Sequence, residues 1–233
     1  MPTSDSRGTV LGAINEVRKL LGYGTVSALT SDRYAEIGLR LLNNVITDIS
    51  DNGDWEEQRG TVSVTAVTST ISYSIGVSSV VKRIYEISFD NDSRALDRVT
   101  LENLNQFNRR GGVGRPRFFA VKGVDSQGNP KFSVSRQPGT TENGKLFSVE
   151  YFTAPRLYDT AVTAAEEIPF PFNMVVQGLY AQSLLEQNGG TSTKEYLAAE
   201  ALYQKMRGEA QNRYTSDTGS DATYLTPPMW GRK

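Results

Sequence analysis

The 233-residue sequence predicts an α+β protein. Its expected architecture is a four-helix bundle of two N-terminal and two C-terminal helices, an inserted antiparallel β-sheet or sandwich, and an extended C-terminal tail. Three observations lead there. Apolar residues recur at helical spacing towards both ends of the chain. Beyond Trp55 the period falls from about 3.6 to about 2, and after residue 166 it returns to 3.6. The last stretch, 214–233, has no periodicity but ends in large apolar residues. The corresponding segments are 1–55, 56–165, 166–213 and 214–233.

Each element follows from its own residues. Val10, Ile14, Val17, Leu20 and Leu21 sit at helical spacing with Glu16, Arg18 and Lys19 between them, and Gly22 and Gly24 stop the helix. A second helix starts behind Thr30-Ser31-Asp32, whose oxygens suit an N-cap. It carries Ala35, Leu39, Leu42, Ile46 and Ile49 on one stripe and ends at Asn52-Gly53. Residues 61–66 and 71–75 alternate polar with apolar, as strands do. Further strands are expected at 83–89, 117–121, 131–135 and 146–152, separated by turns such as the "DSQGNP" of 125–130. A short helix capped by Thr100, with Asn103 in its first turn, is expected to start over 100–104. Val175, Leu179, Leu184 and Leu185 define the third main helix. Tyr196, Leu197, Ala201, Leu202 and Met206 define the fourth, with Thr191 to Thr193 available as caps between them.

Composition narrows the chemistry. Hydrophobic residues at 38% and charged residues at 22% are ordinary globular values, which argues against wholesale disorder. No apolar run approaches the roughly 20 residues of a membrane helix. Met1 to Val10 lacks the charged start and apolar centre of a signal peptide, so a soluble, unexported protein without membrane contact is expected. There is no Cys and no His. That removes thiolate and imidazole zinc ligands, Ser-His-Asp and Cys-His sites, and the commonest general base near neutral pH. No cofactor or metal is expected, and no enzymatic activity.

Charge is nearly balanced, 25 Lys and Arg against 26 Asp and Glu, so any electrostatic role is local. Residues 107–145 hold eight Lys and Arg against two acids, Asp125 and Glu142, a surplus of six positive charges. Arg109, Arg110, Arg115, Arg117 and Lys122 are the candidate contacts, to nucleic-acid phosphates or an acidic protein partner. The acidic stretch 48–57 is a candidate counterpart on a neighbour. The "RRGGVGRPR" run at 109–117 matches neither phosphate-loop spacing. The acid pairs Glu56-Glu57, Asp90 with Asp92, and Glu166-Glu167 sit in no diagnostic motif. Asp90-Asn91-Asp92 reads as a hairpin turn and Trp55 as a core residue.

The tail begins with the polar run Thr215 to Asp221, too poor in apolar surface to offset the entropy of ordering it. Tyr224, Leu225, Pro227, Pro228, Met229 and Trp230 follow. Sticky side chains placed beyond a polar spacer read as a docking arm.

Several segments, taken in order, resemble the head-to-tail adaptor proteins of tailed bacteriophages, in particular the tail tubular protein A type of short-tailed phages. The opening helix "VLGAINEVRKLLGYGTVSAL" (10–29), the "GDW" of 53–55 and the strand pair "ISYSIGVSSVVKRIYEISF" (71–89) carry the likeness, although Ile75-Gly76 stands where that family has Leu-Pro. "RPRFFAVKG", "KFSVSRQP", "LFSVEYFTAP" and "EEIPFPFNMVVQGLYAQSLLEQ" complete the series over roughly residues 10–210. The resemblance implies a virion structural protein at the head–tail interface, made in the host cytoplasm. It also implies a homo-oligomeric ring, usually a dodecamer, between the portal protein and a tail or nozzle protein. DNA would pass through the centre without sequence recognition, and the arm would dock on the portal. Two alternatives remain at this level: a nucleic-acid-binding module using 107–145, and a carbohydrate-binding β protein using Trp55, the tyrosines and the acid pairs.

Overall fold

The computed structural model describes residues 8–214 apart from 93, 110, 127, 160 and 162–164. In chain order the elements are α1 (Val10–Leu20), α2 (Arg33–Asp51), β1 (Arg59–Thr65), β2 (Ser72–Ser74), β3 (Val81–Phe89), β4 (Asp97–Arg98), α3 (Leu101–Arg109), β5 (Phe118–Val124), β6 (Pro130–Val134), β7 (Leu146–Thr153), α4 (Phe172–Gln187) and α5 (Lys194–Tyr214). The protein is therefore mixed α+β with five helices and two sheets. The chain forms two compact units. One runs up to Glu57 and resumes at Pro155; the other spans Gln58 to Ala154.

In the first unit the caps anticipated from sequence form. Asp32 accepts the Ala35 N–H at 2.8 Å and starts α2, and Thr193 accepts the Tyr196 N–H at 3.2 Å near the start of α5. Thr9 caps α1 by accepting the Gly12 N–H. The α2 stripe of Ala35, Leu39, Leu42, Ile46 and Ile49 is buried throughout. Helix α4 is the hub, with α1, α2 and α5 all packed on it. Its apolar residues accordingly spread round the helix: Met174, Val175 and Leu179 join the core shared with α1 and α2, while Ala181 and Leu184 pack with Ala199 of α5. Trp55 closes this core at 1% exposure. Its indole N–H donates to the Ile49 carbonyl at 2.8 Å, and its ring meets Phe170 edge-on at 5.4 Å. The returning chain is pinned to α2 by Asn43, which donates to the Tyr158 carbonyl and accepts the Tyr158 N–H.

The second unit holds two sheets, ordered β1-β7-β3 and β2-β6-β5-β4, around one core. Alternation places Phe147 and Val149 of β7 and Ile87 and Phe89 of β3 against Tyr73, Phe119, Phe132 and Val134 of the other sheet, and a register shift between Ile84 and Glu86 brings Ile84 to the same core. Phe147 lies 4.9 Å from Tyr73 and 4.8 Å from Phe89, ring centre to ring centre. All pairings are antiparallel except β4 with β5, which is parallel. The Asp90-Asn91 turn has positive φ at both residues (60° and 54°), and the Asp92 N–H returns to the Phe89 carbonyl, the left-handed turn that Asp and Asn tolerate. The helix expected at 100–104 begins behind Thr100, which accepts the Asn103 N–H, but extends to Arg109 as α3. It lies against β5, burying Leu104 and stacking Phe107 on Phe118 at 4.8 Å.

Candidate functional site

The positive surplus of 107–145 is smaller in three dimensions than along the chain. Arg115 pairs with Asp92 at 2.6 Å and also reaches the Phe89 carbonyl and the Phe89 ring face. Lys145 pairs with Asp90 at 2.6 Å. Both acids lie in the β3 turn, outside the stretch over which charge was counted, and they neutralise two of its cations. Arg109, Arg117, Lys122 and Arg136 are exposed and Lys131 is half-buried, and none of the five has an ion pair among the described residues. Arg110 lies outside the described residues. The Arg83 guanidinium, on an exposed position of β3, has its pKa pushed down, first by partial desolvation and then by the neighbouring Arg98 cation.

The glycine-rich run does not cradle an anion. Gly111 donates its N–H to Asn108 and Gly114 donates to Gln137, so these backbone donors are spent on the chain itself. The acid pairs do not converge either. Asp90 and Asp92 bind Lys145 and Arg115, Glu166 binds Arg156, and Glu56-Glu57 begin a single 3-10 turn. Among the described residues no three acids group in a way that would hold a metal ion, and no helix is long and apolar enough to cross a membrane. The acidic stretch 48–57 is partly committed within its own unit: Asp48 accepts from the Tyr203 hydroxyl at 2.6 Å and from Arg207 at 2.5 Å.

The proposed arm residues Tyr224, Leu225, Pro227, Pro228, Met229 and Trp230 lie outside the described residues. The helical unit holds a site that sequence reasoning missed, an open apolar cavity of about 230 Å³ between α1, α2 and α4. Val17, Ile37, Leu41 and Leu179 form its walls. Tyr23 and Tyr34 stack at 5.3 Å at its edge. Gly38 faces Ile14 of α1 there, and a Cβ on it would meet Ile14 at ordinary contact distance, 3.4 Å. The sequence signal for this cavity is a tyrosine just after α1 and another in the first turn of α2.

A family model described as SU10 adaptor protein matches residues 9–227, spanning both units. No curated protein matches the chain.

Proposed function

The chain belongs to the SU10 adaptor protein family and is thus a structural component of a bacteriophage virion, and from that premise we propose that it is the head-to-tail adaptor, a ring subunit of the tail tubular protein A type. The single observation that carries this reading is the span of the family match, which covers nearly the whole chain, both units and most of the residues after α5. In this reading the four long helices form a bundle that packs sideways into the ring, commonly a dodecamer. The β unit faces the tail or nozzle protein, and DNA passes through the lumen without sequence recognition. The protein has no enzymatic role. Arg109, Arg117 and Lys122, exposed and without ion pairs among the described residues, are available to an acidic neighbour or tail partner. A carbohydrate-binding reading loses its main residue, because Trp55 is buried.

The arm docks on the portal. From Tyr214 to the end the chain stretches to at most ~70 Å, enough to engage a surface well away from the helices. Burial of Tyr224, Leu225, Met229 and Trp230 contributes on the order of 6 to 12 kcal/mol, and ordering ten or so residues costs about 10 to 20. A single arm therefore holds poorly, while arms in a ring act together. Electron microscopy of the protein alone and with its portal tests the ring. Removing residues 215–233, or combining Trp230→Ala with Tyr224→Ala, is expected to abolish portal binding with thermal unfolding unchanged. Undiminished assembly by those variants overturns the docking arm.

A further inference from the structure

Strands β1, β3, β2 and β4 form the edges of the two sheets, and the last three offer little to another chain. β2 has three residues and β4 has two. β3 pairs with β7 through two register shifts, and its other side takes up the Ser88–Ala95 bridge and the Leu96 N–H, which donates to the Ile87 carbonyl at 2.7 Å. Short and irregular edge strands are how sheets avoid pairing with their neighbours. β1 has neither device. Its seven residues run opposite β7 in unbroken register, from Arg59 with Phe152 to Thr65 with Leu146. From Gly60 to Thr65 it carries no charge and no Pro. Arg59, its one charge, sits at the start and is tied to Glu150 of β7.

The ladder fixes which backbone groups of β1 point outward. Ala66, just past the strand, donates its N–H to the Lys145 carbonyl at 2.8 Å, towards β7. Alternate residues of an antiparallel strand face the same neighbour, so Val64, Val62 and Gly60 turn to β7 as well. Leu146 of β7 accordingly gives its carbonyl to Asp90, on the β3 side. Thr61, Ser63 and Thr65 are left with N–H and C=O directed away from the sheet. All three are exposed, and no hydrogen bond among the described residues takes up those groups. A row of donors and acceptors repeating every second residue, about 7 Å, is complementary to another extended strand.

We propose that this strand is β1 of a second copy of the chain, antiparallel, with the two-fold axis at Ser63. Thr61 then opposes Thr65, Ser63 opposes Ser63, and the outward groups of each copy meet only outward groups of the other. The side chains agree with that register. Val62 comes beside Val64 on the side of the β core, where both are half-buried, and threonines stand opposite each other on the solvent side, a favourable cross-strand pair. No like charges meet, because Arg59 falls outside the paired stretch. Such a contact uses the same patch twice and closes at two copies. It is therefore distinct from any contact that closes a ring, and it stands or falls without the adaptor reading.

Because the chain has no Cys, introduced thiols report the register. Residues of a hydrogen-bonded pair lie about 5.5 Å apart at Cα, within disulfide reach. In a glutathione redox buffer Ser63→Cys should form a covalent dimer by itself. Thr61→Cys and Thr65→Cys should link only when mixed, since each lies four residues, about 14 Å along the strand, from its own counterpart. Ser63→Pro removes an N–H that β7 does not use. It should raise the dimer dissociation constant at least about tenfold with melting unchanged, while Ser63→Ala leaves that constant where it was. Ser63→Lys keeps the N–H but sets two like charges face to face, and should weaken the dimer even if the proline variant fails to fold. Sedimentation equilibrium between about 10 µM and 1 mM chain reads these constants. A monomer throughout that range, no Ser63→Cys dimer, linking of Thr61→Cys with itself, or unchanged association of Ser63→Lys or of a folded Ser63→Pro overturns the proposal. So does faster exchange of the Thr61, Ser63 and Thr65 amides in dilute chain lacking residues 215–233, which would give the edge to the C-terminal segment.

Discussion

At the scale of single residues an electrostatic cluster joins α2 to α5. Tyr203, 3% exposed, donates its hydroxyl to the Asp48 carboxylate, which also receives Arg207. Burial, and then the adjacent carboxylate, push the Tyr203 pKa far up, because both disfavour the phenolate. Burial also raises those of Tyr73 and Tyr158. An unfolded tyrosine ionises near pH 10, whereas these three keep their protons beyond it. Their contribution to stability is therefore complete below about pH 10 and is lost as pH rises above it. Tyr203→Phe should cost about 1.5 to 3 kcal/mol at pH 7, the worth of a hydrogen bond to a charged acceptor. It should also reduce the alkaline slope by up to about 1.4 kcal/mol per pH unit. Urea unfolding at pH 7 and at several values above pH 10 checks both. An alkaline decline identical to that of the native chain would mean the phenol is not its source. No comparable change is expected between pH 5 and 8 from imidazole, since the chain has no His.

At the scale of elements, two helical glycines are expected to respond oppositely to the same substitution. A Cβ on Gly178 of α4 would lie 2.8 Å from both Tyr203 and Val45, so Gly178→Ala forces α4 away from its neighbours at about 1 to 3 kcal/mol. A Cβ on Gly208 of α5 meets nothing within 4 Å, so Gly208→Ala gains only helix propensity and should stabilise by about 0.5 to 1 kcal/mol. Thermal melting of the two variants reads the signs directly. What was legible in the sequence follows the same physics. Helix α2 could be read because its buried stripe and its Asp32 cap are local, and the strands because alternation is local. Strand β4 could not, since Asp97 and Arg98 are both exposed and two residues carry no period. Helix α3 was only half legible because it fully buries one side chain, Leu104, and its length is set by packing on β5. The basic patch was overcounted because Arg115 and Lys145 find their acids 23 and 55 residues away. The cavity is made by three helices meeting, so no window of sequence contains it.

At the scale of the molecule the decisive fact is that the two units have separate cores. No residue of the helical core, built around Trp55, Ile46 and Leu179, belongs to the core that surrounds Phe147 between the sheets. Among the described residues the chain passes between units at Glu57–Gln58 and at Ala154–Pro155. Cooperative unfolding comes from burial shared within one core, and two cores that share no side chain lack that source of mutual dependence. Scanning calorimetry is therefore expected to show two transitions, and single substitutions should assign them. Ile87→Val removes one methyl from the fully buried face of β3 and should cost the β unit about 0.5 to 1.5 kcal/mol. For a domain of this size that lowers one midpoint by several degrees, at about 4 to 8 °C per kcal/mol. Gly178→Ala should lower the other midpoint and leave the first where it was. If both substitutions move one common transition by amounts in proportion to their costs, the units fold as a single cooperative body and the independence inferred from their cores is wrong.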